Sequence, residues 1–542
     1  VTTGDGPSIG RASAFLASGT MVSRILGFVM AILLAQTVGA IGFSGDAFAL
    51  ANRLPNNLYA LVAGGVVSAI LVPSIVRAIV GEDRGRAYVN KLLTLGMVIL
   101  LAATIIAVAA APVLVRLYGQ TMPQDQFDLA VTFAYWCLPQ VFFYGLYALL
   151  GEVLNAHKLF GPFTWAPVFN NIVAISGLLA FGALFGADPT GERSVTSWSA
   201  PMVAVLAGSA TLGIAVQAVV LFFFWKKVGL RFRPDFGWRG IGLAQTGKMA
   251  GWTLAMIGAT LVAGIVQTNV TMLASGGEAA TAALQYAWLI FMLPHSVIAV
   301  SVATAYFTRM AEHAHANRTA ELKADVSSAT RQISLLIVLA AAVIGACAMP
   351  FASLFTGTSS DAGALAGPLV AYVAGLVPFT ILFVLQRTFY ALGDTRTPFF
   401  FTVAQVIVFS GLALACGFLL PDDLIGIGVA ASISLAGTVQ MLLAFVLLRR
   451  KLGGLDVAPV IRAIVVYVVA AIPSLAAGLG TAWLLGAWVD GGFATTTVFG
   501  ALVSMIVIGS VMAAVYFALL IVMRSPDLRA ALAPIIRRFR RR

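Results

Sequence analysis

Apolar residues run along this chain in long stretches separated by short polar connections. The stretches exceed the ~18 residues needed to cross a bilayer as a helix, and in hydrocarbon only helices or closed barrels satisfy their own backbone groups. The pattern predicts fourteen spans, near residues 12–38, 47–78, 91–117, 127–154, 163–187, 200–225, 247–273, 280–308, 329–356, 364–390, 398–420, 424–448, 460–486 and 496–523. No connection is long enough for a second domain, although 226–246 has room for a short interfacial helix.

The spans repeat. Ser13, Thr20, Arg24, Gly27 and Ala31 of the first span follow the same offsets as Thr253, Thr260, Gly264, Gln267 and Thr271 of the seventh, 240 residues on. Those offsets keep each set within about 40° on one helix face. Leu54-Pro55 returns as Leu293-Pro294, and LNAHKLFGPF from Leu154, closing the fourth span, matches FYALGDTRTPF from Phe389, closing the tenth. The architecture predicted is all-α and polytopic, with two pseudo-symmetric six-helix lobes at 1–228 and 229–452. Two appended helices at 453–524 and a basic tail at 525–542 follow. Two same-orientation halves are a transporter design.

Composition agrees with a membrane protein. Hydrophobic residues make up 60% and charged residues 10%, against about 45–50% and 25% in soluble domains, and mean hydropathy is +0.97. The net charge of +12 would suit a nucleic-acid binder, but its distribution argues against one. All but four of the 33 Lys and Arg fall on one side of a single alternating topology. The positive-inside rule puts that side, and both termini, in the cytoplasm. The amphipathic tail carries Arg537–Arg542 and suits anionic lipid. Cys137, Cys347 and Cys416 lie in apolar runs without CxxC or Cys/His pairing, as buried free thiols do. His313 and His315 have no carboxylate at ligand spacing, so no metal site is expected. The first apolar run is longer than a signal-peptide core, so no cleavable signal is expected. No GxxxxGK[ST] occurs and the outer connections are short, which argues against an enzyme.

The four exceptional cations carry the chemistry. Arg116 and Arg193 fall on the sparsely charged side, and Arg24 and Arg53 lie inside spans. A cation at membrane depth costs about 2.5–3.5 kcal/mol on insertion scales, so it faces protein or a watery cavity. Arg24 shares a face with Ser13, Thr20 and Gly27, and reads either as a cavity cation or as an anchor to backbone carbonyls. Asp46, Arg53, Asn57 and Gly64 form a second stripe, flanked by Asn52 and Asn56, with Pro55 expected to bend the helix. Arg53 either faces an anionic substrate or forms an ion pair with Asp46 along one helix. Gln267, Asn269 and Thr271 are neutral groups suited to sugar or peptide, or to gluing helices together. Glu152 and Asn155 close the fourth span, and Arg387, Asp394 and Arg396 the tenth, as gate or loop-anchoring groups.

Ser23-Arg24-Ile25-Leu26-Gly27-Phe28, Asp46-Ala47-Phe48, Leu54-Pro55-Asn56 and Tyr390-Ala391-Leu392-Gly393-Asp394-Thr395-Arg396-Thr397-Pro398-Phe399 together resemble the MurJ/MviN family, of the multidrug/oligosaccharidyl-lipid/polysaccharide exporter superfamily. The likeness covers essentially the whole chain. It implies a flippase that moves lipid II, the undecaprenyl-diphosphate-linked disaccharide-pentapeptide, from inner to outer leaflet for peptidoglycan synthesis. It also implies a lipid-tail groove at the last two spans. The family's first-helix arginine and second-helix acid stand here as Arg24 and Asp46. Other positions that are often charged in the family are Met30, Tyr59, Ala60, Gly64, Leu289 and Met292 here, which makes the patch less cationic.

No cofactor is expected, and coupling to a monovalent ion or to the membrane potential has no assigned site. The partners implied are the lipid-linked muropeptide, anionic lipid at the tail, and cell-wall synthesis or division proteins; no nucleic acid is expected. A polysaccharide-lipid flippase of the O-antigen type and a non-transport scaffold are the alternatives. A cation exporter would call for acidic rather than basic cavity residues.

Overall fold

The computed structural model describes residues 9–62, 86–157, 159–225, 232–237 and 247–530. Among the described residues there is no strand. Within those residues twelve helices are long and apolar enough to cross a membrane, or thirteen when Ser359–Ala374 and Leu376–Ala391, bent by 43°, form one span. The predicted second span begins as the Phe43–Val62 helix, and the rest of it falls outside the described residues. The structure therefore accounts for twelve or thirteen of the fourteen spans predicted.

Several boundaries differ from the sequence reading. The predicted third span stops at Ala109 and continues as the short helix Ala111–Tyr118, with Pro112 starting the new helix. The ninth begins at Thr319 rather than near 329, so Lys323 and Arg331 sit on a helix and the preceding connection shrinks to Ala316–Arg318. A polar, helix-favouring stretch (TAELKADVSSATRQ) extends that helix beyond its apolar part, which hydropathy alone does not register. Asn317, at φ 53°, makes the turn. In the 226–246 connection only 232–237 is described. It is not helical and lies along the Arg86–Ala109 helix, with Asp235 N–H donating to Thr94 Oγ1 at 3.0 Å.

The chain divides into two compact units, Val1–Leu261 and Val262–Arg542, so the boundary falls inside the Gly247–Thr271 helix. In the first unit, Ile9–Val38 lies on Phe160–Phe185, which in turn packs on Ala200–Val220. Small residues bring these helices together, as membrane interfaces require in the absence of a hydrophobic drive between helices. A Cβ on Gly19 would come within 2.7 Å of the Trp165 indole. The connections at the sparsely charged end interlock: Gly191 holds φ 70°, and a Cβ there would stand 1.9 Å from the Ile41 carbonyl oxygen.

Both cations on that sparsely charged side are structural. Arg193 Nη2 donates to Phe185 O at 3.1 Å and Gly186 O at 2.8 Å, where the Phe160–Phe185 helix presents the negative end of its dipole. Trp198 Nε1 donates to Ser44 Oγ at 2.8 Å, and Ser44 donates to Arg193 O at 3.0 Å. Arg116 lies over the Phe127 ring at 3.8 Å and donates to Gln124 at 3.3 Å.

The second unit is organised around Thr319–Ala346, against which Ala458–Leu484, Val300–His315, Leu376–Ala391 and Val498–Val522 pack. Tyr467 and Tyr516 are fully buried there, with Tyr516 Oη donating to Leu335 O at 2.8 Å. Two of its spans depart from a regular helix. Pro294 is followed by a π-helical turn, His295–Ala299, and the 43° bend falls at Gly375. The Phe43–Val62 helix, by contrast, runs on through Pro55.

Candidate substrate-binding site

In the first span the glycine face meets its neighbour. Asn171 Nδ2 donates to Ser23 O at 2.7 Å and stands 3.7 Å from the place of a Cβ on Gly27. Arg24, one position round from Ser23, points away from that contact and is exposed. Helix packing has not consumed its charge, and an unconsumed guanidinium is available to an anion. The stripe expected from spacing thus divides, with Gly27 at the helix contact and Arg24 beside it.

The second span places its polar residues in two directions. Arg53 and Asn57, one turn apart, face Tyr118: Asn57 Nδ2 donates to its hydroxyl at 3.3 Å, and half-buried Arg53 acts on that hydroxyl electrostatically. Asn52 turns to the other side. Its Oδ1 accepts from Gln140 Nε2 at 3.2 Å, Gln140 also donates to Thr211 at 3.0 Å, and Thr211 donates to Trp136 O at 2.7 Å. That chain ties four helices together, so Asn52 serves packing. Asp46, 1% exposed, occupies the first turn of the helix, where the dipole favours a carboxylate.

In the second unit, Gln267 is half-buried and Asn269 Nδ2 donates back to Ile265 O at 3.0 Å. Thr271 and Thr281 share a hydrogen bond of 2.9 Å that joins the Gly247–Thr271 and Thr281–Pro294 helices. Arg387 is half-buried between two rings, 4.8 Å from the Phe383 centroid and 5.2 Å from that of Phe307. Asp394 accepts from Thr397 N–H at 2.9 Å and Thr397 Oγ1 at 2.7 Å, and pairs with Lys451. Burial pushes this carboxyl up, but the Lys451 and Thr397 hydrogen bonds outweigh it and hold it below its ordinary 3.8. The pair clips the turn after one span to the end of another. Arg396 lies 5.6 Å from the Phe400 ring. In the first unit, Glu152 and, one turn on, Asn155 are half-buried.

Two polar clusters escaped the sequence reading. Asp325, buried, pairs with Arg309 at 2.7 Å and His313 at 3.0 Å, so His313 does have a carboxylate beside it. Arg309 and His313 are one turn apart, and the tight Ala316–Arg318 turn folds Asp325 back onto them. Their four-residue spacing was visible, but the short turn that brings the partner was not. In the second cluster, Arg331 and Tyr467 both bond Asp527 at 2.8 Å. The first turn of the basic tail is thereby docked, with Ser525 and Leu528 buried as well, while 531–542 lie outside the described residues. No group of three or more potential metal ligands occurs among the described residues.

A family model described as Lipid II flippase MurJ matches residues 34–499. A protein of Rhizobium tropici described as a probable lipid II flippase MurJ is 30% identical over 449 residues, covering 80% of this chain and 79% of that protein. One from Haemophilus influenzae with the same description is 27% identical, covering 77% and 82%. Among solved structures, a lipid II flippase MurJ in an inward closed conformation aligns with TM-score 0.70 at 20% identity, covering 93% of this chain and 99% of that one. An inward-facing multidrug resistance MATE family transporter of the MOP superfamily aligns with TM-score 0.63 at 18% identity, covering 81% and 98%. At those identities the structural likenesses speak for the fold.

Proposed function

The chain belongs to the lipid II flippase MurJ family, and from that premise we propose that it carries lipid II from the inner to the outer leaflet of the bacterial inner membrane by alternating access. The family match over 34–499 carries this reading. Neither the polysaccharide-lipid nor the scaffold alternative has a comparable observation behind it. In the orientation we propose, the cation-rich connections and both termini are cytoplasmic.

The physical task is to move a diphosphate-bearing headgroup past hydrocarbon that excludes it. Arg24, exposed on the first span, and Arg53, half-buried on the second, supply positive charge within the spans. Charge-assisted hydrogen bonds from guanidinium to phosphate would replace water around the diphosphate. Asn57 and Gln267 offer neutral donors and acceptors to sugar and peptide. The prenyl tail stays in lipid or along the last two spans. No resident cofactor takes part in this scheme, and the drive is a substrate gradient, the membrane potential or an ion gradient.

The test is depletion of the native flippase in a cell that needs one, followed by rescue, with lipid II export measured alongside growth. Rescue with restored export is expected from the wild-type chain. Growth rescue without export would sink the reading in favour of the scaffold alternative.

A further inference from the structure

The Asp325 cluster is a set of titratable groups that the scheme above leaves unused. Asp325 is buried, and its two oxygens meet two different bases. Oδ1 lies 2.7 Å from Arg309 Nη2, and Oδ2 lies 3.0 Å from His313 Nδ1. The Oδ2 and Nδ1 atoms are themselves buried and, among the described residues, neither has another hydrogen-bond partner. His157 and His315 behave differently, each placing Nδ1 on the carbonyl oxygen four residues back, at 2.8 and 2.7 Å. His313 turns the same nitrogen to a carboxylate on the next helix. The other charged groups nearby are committed or exposed. Arg331 is bonded to Asp527, which also accepts from Tyr467. Arg387 lies between Phe307 and Phe383, and Tyr390 accepts from Gln386 at 2.8 Å. Tyr306 lies under the Arg309 guanidinium at 5.4 Å. Glu312, Arg318 and Glu321 are exposed, and Lys323 is half-buried.

One negative charge is thus shared by two bases, and imidazole is the one that ordinarily changes charge between about pH 5 and 8. A neutral imidazole offers the carboxylate at best an uncharged donor and leaves the charge pairing to Arg309. A protonated one donates from both nitrogens, and its Nδ1–H then makes a charge-assisted bond to Oδ2. Both bases belong to Val300–His315 and Asp325 to Thr319–Ala346, so each bond ties the ends of these two helices together. Val300–His315 is also the arm of its span that follows the π-helical turn at His295–Ala299, the kind of break at which a helix changes direction. At 1.5 Å per residue the two bases lie about 15–21 Å beyond that turn, where a small change of angle becomes a large displacement. The helix they are tied to is the one around which the second unit is organised.

We propose that Asp325, Arg309 and His313 form a proton-operated latch. A proton bound at His313 adds a second charged tie between the arm beyond the π-turn and the central helix, and so slows the conformational cycle when the cytoplasmic side turns acid. The effect on transport rests on the flippase reading; the tie itself does not.

Thermal melts of the purified full-length protein in lipid nanodiscs, taken across about pH 5–8, read the tie directly. A bond strengthened by the charged imidazole is present at acid pH and lost as pH rises. Wild type and His313→Gln should therefore melt alike at the alkaline end, with wild type melting higher at the acid end. In an Arg309→Gln background, His313→Gln should lower the acid melt further, because the carboxylate then has no other base. A difference between wild type and His313→Gln that does not change with pH overturns the latch and marks His313 as a packing residue. Transport is read in vesicles as movement of lipid II with pH set on the cytoplasmic face. It should be severalfold slower at the acid end in wild type and level in His313→Gln. Identical transport profiles in the two proteins overturn the latch as a control of the cycle and leave the flippase reading standing. A folded wild type that moves no lipid II at any pH overturns the flippase reading, while the melts still decide the tie.

Discussion

Four arginines stand out of place in this sequence, and the structure gives them two different fates. Arg193 is consumed by its own fold: two carbonyl oxygens at a helix C-terminus and the Phe181 and Trp198 rings surround it. Arg24 meets no such set and is exposed. The same substitution should therefore give opposite results. Arg193→Ala should lower stability by about 1.5–3 kcal/mol, the range for hydrogen bonds to charged groups, read as a lower melting temperature of the purified protein. Its transport per folded molecule should be unchanged. Arg24→Ala should leave the melt near wild type and abolish lipid II export at normal protein levels. Export that proceeds at the wild-type rate in Arg24→Ala would remove Arg24 from the anion-binding role. Charge bookkeeping flagged both residues, because an arginine off the cytoplasmic face is anomalous wherever it lies. It could not separate them, since Arg193's partners are carbonyl oxygens, which carry no sequence signature.

At the scale of helices, the breaks and clips matter more than the spans. Gly375 sits at the 43° bend, and a Cβ there would stand 2.6 Å from Ser434 Oγ and 2.8 Å from Ser434 Cα on the helix behind. Gly375→Val should force those helices apart and cost about 1–3 kcal/mol, the usual penalty for overpacking, measurable as a fall in melting temperature. A melt unchanged by that substitution would show the contact to be soft. The Asp394–Lys451 clip gives a pH signature. The Asp394 carboxyl is held below 3.8 in the folded protein, so its contribution is fully present above the unfolded value and is lost as pH falls through the lower folded one. Asp394→Asn should therefore destabilise the protein at neutral pH and flatten the acid side of its stability curve below pH 4, as followed by acid titration of the folded fraction. The spans themselves were legible from hydropathy, but the bend expected at Pro55 is not a break in its helix, and the π-helical turn follows its repeat counterpart Pro294 instead. Gly375 was not legible, because one glycine in an apolar run looks like any other helix-packing glycine. Nor was the Asp325 cluster, because the amphipathic start of the Thr319–Ala346 helix read as a loop. Both misses share a cause: hydropathy records what faces lipid, whereas these features depend on what a helix meets in its neighbour.

For the whole molecule, fold and substrate are separable. The helical architecture aligns with a lipid II flippase MurJ and, at a lower score, with a MATE transporter, so architecture alone does not choose the cargo and the charge inside the spans must. A cargo that is anionic at its diphosphate also fixes the direction of the electrical work. With the cell interior negative, each negative charge carried outward gains about 2.3 kcal/mol per 100 mV, so a headgroup with net negative charge is driven toward the outer leaflet. In vesicles holding the purified protein, an inside-negative potential should therefore speed the outward movement of lipid II, and reversing its sign should slow it. Neutralising Arg24 or Arg53 changes the charge that travels or stays with the protein and should alter the steepness of that response as well as its rate. A rate indifferent to the sign of the potential would mean that the net charge crossing the membrane is zero, with the arginines or a co-transported cation cancelling the diphosphate. The flux would then have to be driven by the substrate gradient or by an ion gradient, and replacing each monovalent cation in turn would identify which.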